Sequence, residues 1–178
     1  MNKYIIHNDQ SIKGFFGEYR WLSNFYPANC MYDGTKFFAV ENAYQFAKLE
    51  IPKPNTEEAF KHYRTGLEVA LMSAGEAKKW GSPESFEKQG LKLRPDWKKV
   101  NIDIMKALVW DKFYRSTKLR RLLLKTGKRY LEETNMWHDN FWGVCMCRKC
   151  HVITAKEESF QGENHLGLIE MKVREFWQ

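Results

Sequence analysis

No apolar run in this 178-residue chain approaches the length of a bilayer-spanning helix, which excludes a helical membrane protein as the first reading. Cysteine is scarce at four, and three of the four crowd into Cys145, Cys147 and Cys150, a spacing that argues against the disulfide framework of a secreted domain. Reduced thiols or a metal site are the alternatives. Proline is sparse at five, and no internal repeat or low-complexity linker divides the chain. Met1 to Gln10 lacks the basic-then-apolar pattern of a secretory signal, so a cytoplasmic location with no membrane partner is the expectation. Acidic residues are the minority charge, 22 against 29 Lys and Arg, and the net charge of +7 favours an anionic partner such as a phosphate, a nucleotide or nucleic acid.

What the chain does have is aromatic and apolar surface. Hydrophobic residues make up 43% and aromatic residues 15%, too much for a disordered chain. The length suits one domain over residues 1–178. Tyr4 to Ile6 reads as a short strand, and Asp33-Gly34 between Asn29–Tyr32 and Lys36–Phe38 reads as a hairpin. Phe37 to Lys48 reads as an amphipathic helix with Glu41, Tyr44, Gln45 and Lys48 on one stripe and Val40, Ala43 and Ala47 on the next. Asn55 to Trp80 is helical in short pieces, broken near Gly66 and Gly75 and closed at Gly81-Ser82-Pro83. The longest helix starts at Pro95 or Asp96 and presents Val100, Ile104, Met105, Ala107, Leu108 and Val109 as its apolar face. Lys118 to Leu124 forms another helix, Tyr130 to Glu132 a strand, and Asn164 caps a last helix reaching Trp177. A few strands and then many helices predict an α+β fold rich in helix.

Several segments carry chemistry in their residue types, each with a plainer structural reading. Glu41 opens an aromatic helix, and a carboxylate beside apolar groups is the setting in which acids move protons near neutral pH; the plainer reading is a helix acid held by Lys48 or Gln45. Phe15 to Phe25 packs five aromatic residues around Arg20 and Asn24, either a stacking surface for a base or a core filled from a loop. Asp139 to Gly143 offers a second carboxylate beside Trp142, with Gly143 allowing close backbone approach, or else a simple Asx turn with a buried Trp. Lys78 and Lys79 are adjacent cations that repel, and a lysine that gives up its proton is an amine nucleophile; two solvated lysines at a helix end fit the same letters. Lys118, Arg120, Arg121, Lys125, Lys128 and Arg129 form a basic stretch suited to phosphates, nucleic acid or water. Cys145, Cys147 and Cys150 make up part of a zinc set, short of a fourth ligand that His138, His165 or Cys30 would have to supply. The default is no metal and no cofactor.

Taken in order, the pieces resemble the NADAR superfamily, whose members include the YbiA-like N-glycosidases. The matching residues are Tyr19 to Phe25 with Leu-Ser-Asn-Phe, Val40 to Gln45, Ala77-Lys78 with Gly81, Asp96-Trp97, Lys112-Phe113, Asp139 to Gly143, and Asn164 to Gly167 with Met171 and Arg174. The resemblance runs from Gly14 to the end of the sequence. It implies a compact α+β domain with a small antiparallel sheet, hydrolysing the bond between a ribose and a nitrogenous base. The substrates it implies are ribosylamino-pyrimidine phosphates of the riboflavin pathway or ADP-ribosylated guanine in nucleic acid. On that reading Glu41 carries protons, Lys78 forms an imine with the opened sugar, and Asp139 orients ribose or water. Trp97 and Trp142 stack on the base, Asn24 and Gly143 contact base or sugar, and Arg20 contacts phosphate. Ser82 departs from the pattern, standing where many relatives carry Arg. Two rivals are a non-catalytic ADP-ribose or NAD-binding module and a nucleic-acid binder using the Lys118 to Arg129 stretch.

Overall fold

A computed structural model describes residues 5–153 and 158–178. The elements in order are β1 (Ile6–His7), β2 (Ser11–Lys13), a 3-10 helix (Gly17–Leu22), β3 (Cys30–Tyr32), β4 (Thr35–Phe37), α1 (Val40–Phe46), α2 (Glu57–Leu71), α3 (Ala74–Trp80), α4 (Pro83–Gln89) and α5 (Trp97–Arg115). They continue with α6 (Thr117–Lys125), β5 (Tyr130–Glu132), β6 (Thr134–Asn135), β7 (Val144–Cys145), β8 (His151–Ile153), β9 (Glu158–Phe160) and α7 (His165–Trp177). The α+β class with helix in excess holds. The backbone divides into two compact units, residues 24–117 and residues 1–23 with 118–178.

In the 24–117 unit, the hairpin β3–β4 pairs Cys30 with Phe37 and Tyr32 with Thr35. Its two turn residues, Asp33 and Gly34, both take positive φ, 46° and 73°, the geometry whose twist matches the flanking strands. The chain then enters α1, all seven of whose residues are buried, with α2, α3, α5 and the hairpin packed around it. Ala39 at the helix entry has no capping side chain, and the Glu41 N–H donates instead to the Asn24 carbonyl at 3.1 Å. Asn42 closes the end of α2 by donating to the Val69 and Met72 carbonyls at 2.9 and 2.8 Å.

The expected break near Gly66 does not occur. α2 runs through it because a Cβ there would sit 3.0 Å from Phe46 Cζ: the glycine makes room for a ring, not for a turn. The break falls at Met72-Ser73, where Ser73 and Glu76 form a reciprocal capping box for α3. A helix unforeseen in the sequence reading, α4, starts with Ser82 as N-cap and Pro83 in its first turn and stops at Gly90 with φ 62°. Ser82, the departure from the family pattern, thus has a structural task. In α5 the buried residues are Met105, Leu108, Val109, Lys112 and Phe113, while Ala107 is exposed, so the apolar face lies further along the helix than expected.

In the other unit, β2 pairs antiparallel with β1 and parallel with β5, so the small sheet is mixed. Tyr4 of the expected first strand lies outside the described residues. The aromatic loop folds locally as the 3-10 helix, burying Trp21 and Leu22. Helix α7 packs on β5 so closely that a Cβ on Gly167 would lie 2.2 Å from the Leu131 carbonyl oxygen. Asn164 precedes α7 but does not cap it through its side chain. Its amide is spent on β5: Oδ1 accepts from the Glu133 N–H at 3.0 Å and Nδ2 donates to the Leu131 carbonyl at 2.8 Å, which a left-handed φ of 53° permits. Arg174, buried, donates to Thr126 Oγ1 and the Arg129 carbonyl at 2.7 and 2.9 Å. Two members of the basic stretch are likewise structural, Arg129 donating to Tyr19 Oη at 2.8 Å and Arg120 lying over the Trp177 ring at 4.6 Å, while Lys118, Arg121, Lys125 and Lys128 are exposed.

Gly167→Ala is expected to destabilise the protein by about 1–3 kcal/mol through overpacking. Gly75→Ala, where nothing lies within 4 Å of the added methyl, is expected to be neutral or slightly stabilising. Equilibrium urea unfolding of the two variants checks the contrast, and equal midpoints would contradict it.

Candidate active site

Glu41 occupies the first turn of α1 and is 6% exposed. Its Oε1 accepts a 2.7 Å hydrogen bond from Gln45 Nε2, one helical turn on. The Gln45 amide is in turn confined by Gly81, where a Cβ would fall 2.0 Å from Gln45 Oε1. Gly81 is therefore required by the side chain that holds the carboxylate. It also accepts from Lys48 Nζ at 2.9 Å through its carbonyl.

Lys48 is the residue that sequence reasoning missed as a site member. Burial holds its ammonium below the ordinary lysine value, the nearby Glu41 carboxylate opposes that effect, and the Lys78 charge adds to it. Lys48 thus feels the charges of both Glu41 and Lys78. Its position on the Glu41 stripe was legible, but its depth was not, because α1 looks half-exposed by period and is buried all round. Lys78 is exposed near the end of α3, with Nζ 5.5 Å from the centre of the Phe25 ring. Tyr44 and Trp97 stand 5.0 Å apart, with Lys48 Nζ 5.9 Å from the Tyr44 ring. Trp97 is half-buried at the start of α5, where Asp96 is held by Arg94 through bonds of 2.7 and 3.0 Å. Asn24 is buried, its carbonyl engaged by Glu41 and its Nδ2 directed to Met105 Sδ at 3.4 Å. What it shows directly is a hold on the start of α1.

This arrangement of a buried carboxylate, a half-buried ammonium and an exposed amine beside aromatic rings can carry a proton, stabilise charge of either sign and supply a nucleophile. A separate hollow of about 570 Å³ lies over Leu49 to Lys53 and α2, lined among others by Lys61, His62 and Lys92; Glu41, Lys48 and Lys78 are not among its walls.

The other candidates lie in the second unit. Asp139 forms the Asx turn, its Oδ1 accepting from the Phe141 and Trp142 N–H groups at 3.2 and 2.9 Å. Asn135 fixes the same turn by accepting from the Asp139 N–H at 3.1 Å and donating to its carbonyl at 2.7 Å. Trp142 is half-buried against Phe141, with ring centres 4.9 Å apart. Gly143 is buried, and what its missing side chain admits is the Glu133 carbonyl, 2.3 Å from where a Cβ would be. Arg20 is exposed on the 3-10 helix. The donor atoms of His138, Cys145, Cys147 and Cys150 all lie within 4.8 Å of one another and could hold a metal.

A family model described as the NADAR domain matches residues 13–177, and the chain belongs to that family. It is 32% identical over 161 residues to a protein of Nostoc punctiforme named as an N-glycosidase, covering 88% of this chain and 85% of that one. It is 28% identical over 160 residues to a riboflavin biosynthesis protein of Vibrio vulnificus, covering 87% of this chain but only 35% of that protein. The NMR structure of the Escherichia coli protein YbiA superposes with a TM-score of 0.67 at 24% identity, covering 99% of this chain and 89% of that one, which shows the shared fold. No helix among the described residues is long and apolar enough to cross a membrane.

Lys48 gives the cluster a pH signature. With its folded pKa below the ordinary 10.5, the unfolded chain holds the proton over the window between the two values while the folded chain has lost it. Stability contributed by Lys48 therefore rises with pH across that window. The difference in unfolding free energy between wild type and Lys48→Met is expected to shift toward wild type as pH rises toward 10.5. Urea titrations at several pH values measure it, and a pH-independent difference would contradict the assignment.

Proposed function

We propose that this chain hydrolyses the N-glycosidic bond between a ribose and a nitrogenous base. The observation that carries the reading is Glu41, a carboxylate buried in α1, held by Gln45 and close enough to Lys48 to affect its charge, as Lys78 also does. Membership of the NADAR family and a relative named as an N-glycosidase support a glycosidase activity. The riboflavin name of the Vibrio relative favours a phosphorylated ribosylamino-pyrimidine over ADP-ribosylated guanine as substrate. The net charge of +7 suits either anion.

Cleavage leaves positive charge at the ribose anomeric carbon and negative charge on the departing base, and rate is gained by stabilising both. In the proposed route the sugar ring of a ribosylamine opens, and Lys78 Nζ, once water has taken its proton, attacks the anomeric carbon. The new C–N bond displaces the base as its free amine, with the proton carried to the leaving nitrogen by Glu41. Water then adds to the Lys78 imine, releasing ribose phosphate and the amine. The sum is substrate plus water giving base plus sugar phosphate. Lys48, held by the Gly81 carbonyl, offsets the charge of the Glu41 carboxylate between proton transfers. Trp97 beside Tyr44 is the proposed stacking wall. Asp139, Arg20, Asn24, Trp142 and Gly143 keep the roles that the family resemblance implies, each open to its own substitution.

Purified protein incubated with a ribosylamino-pyrimidine phosphate should release ribose phosphate, and in a parallel reaction DNA bearing ADP-ribosyl-guanine tests the second substrate. Glu41→Gln should lower turnover by at least ~100-fold while circular dichroism stays unchanged. Lys78→Ala should abolish the protein–sugar adduct that borohydride traps in the wild type. Full turnover by Glu41→Gln would refute the proton-transfer role. Tight ADP-ribose binding with no release from either substrate would favour a binding module.

A further inference from the structure

The three clustered cysteines take no part in the chemistry assigned to Glu41, and the fold gives them a fourth companion. Cys145 sits on β7, fixed by its pairing with Asn135 of β6 and by a backbone bridge to Gln161. The chain turns through Cys147, whose carbonyl accepts from the Cys150 N–H at 2.9 Å, and Cys150 is held in turn by the Gln161 N–H on its carbonyl at 3.2 Å. Both ends of the cysteine loop are thus anchored in backbone pairing. His138 then arrives from the end of β6. It is exposed and takes a left-handed φ of 68°, a conformation uncommon for histidine, and it brings Nδ1 to 3.0 Å from Cys150 Sγ and 3.7 Å from Cys147 Sγ. The sulfurs of Cys147 and Cys150 are 3.6 Å apart.

Two of those separations, 3.6 and 3.7 Å, match a tetrahedral metal, while the 3.0 Å contact is shorter than such a pair. Ligands at the usual zinc distances for sulfur and imidazole nitrogen stand about 3.5–3.8 Å from one another at tetrahedral angles. A disulfide requires about 2.05 Å between sulfurs and would recruit only two of the four groups. A second observation is independent of spacing: Cys145 is fully buried, yet its sulfur accepts two backbone N–H bonds, from His138 at 3.3 Å and from Cys147 at 3.4 Å. N–H groups aimed at a sulfur are the outer-shell hydrogen bonds that orient a metal-bound cysteine. Three thiolates and one imidazole around a divalent ion leave one negative charge, which Arg148 and Lys149, exposed in the same loop, are placed to offset. Four protein donors leave no open coordination position.

We propose that His138, Cys145, Cys147 and Cys150 bind one zinc ion as a closed structural site. The ion ties the cysteine loop to the segment that immediately precedes Asp139, and so braces the Asp139 to Gly143 turn. Cys150 Sγ already lies 3.4 Å from Asn140 Oδ1 within that turn. The proposal stands independently of the glycosidase reading, because its test counts metal rather than turnover.

The full chain, purified under reducing conditions with zinc supplied and excess metal removed, should retain about one zinc per chain by mass spectrometry of the element. With cobalt in place of zinc it should show the visible absorption of a tetrahedral cobalt thiolate. Cys147→Ser, at the least buried of the three thiols, should bind zinc roughly tenfold or more weakly in competition with a chromophoric chelator. Cys30→Ser should keep wild-type stoichiometry, and chelation should lower the unfolding midpoint of the wild type by more than that of Cys147→Ser. Wild type that retains no zinc and gives no cobalt thiolate spectrum would overturn the proposal. So would a Cys147–Cys150 disulfide in the reduced preparation, or undiminished affinity in Cys147→Ser. The wild-type stoichiometry and the cobalt spectrum decide the matter even if a variant fails to fold.

Discussion

A carboxylate taken out of water must be answered by hydrogen bonds or by opposite charge, and the surroundings of Glu41 supply both. Gln45 donates to the carboxylate, Asn24 receives the backbone N–H of the same residue, and Lys48 lies within its field. Each of these partners is itself constrained. Gln45 has its place because residue 81 has no side chain, and Lys48 because the Gly81 carbonyl accepts its hydrogen bond. A seven-residue helix has little stability of its own, so α1 holds its shape through burial on every side. The same tertiary packing that stabilises the helix fixes the acid.

The unit around α1 economises on polar groups in the same manner. Asn42 ends α2, so one short helix both carries the Glu41 carboxylate and caps its neighbour. Burial without reactivity is seen at Cys30, whose thiol is pushed up to about 12 by desolvation with Asp111 adding to the effect. A cysteine held so firmly in its protonated form is a packing residue. Lys112 is 1% exposed, with Nζ 5.1 Å from the Phe113 ring centre, and its depth distinguishes it from the exposed Lys98, Lys99 and Lys106 of α5.

Features encoded over short distances were legible in the sequence. The Asp33-Gly34 hairpin needs two positive φ values, which few residue pairs supply, and α6 ends at Gly127 with φ 62° for the same local reason. The long-range features were not. Gly66 reads as a helix breaker and is instead a seat for Phe46, because what decides its identity is a ring from another helix. Asn164 reads as an N-cap and is instead a clamp on β5. Of the candidate site residues, Glu41 was recognisable from its helix and Asp139 from its Asx turn, whereas the depth of Lys48 depends on how α1 is enclosed. The closing of the cysteine cluster by His138, rather than by His165 or Cys30, likewise follows from the parallel pairing of β6 with β7, which spacing alone does not encode.

Membership of the NADAR family and the named N-glycosidase relative set the chemistry to be expected, and the Glu41 cluster offers groups able to perform it. The central claim is that the bond is broken beside residue 41. Crystals of Glu41→Gln soaked with an intact ribosylamino-pyrimidine phosphate test it most directly. The account predicts uncleaved ligand with its anomeric carbon next to the residue 41 amide and within reach of Lys78. Ligand density confined to the hollow lined by Lys53, Lys61 and Lys92, with residue 41 untouched, would contradict it.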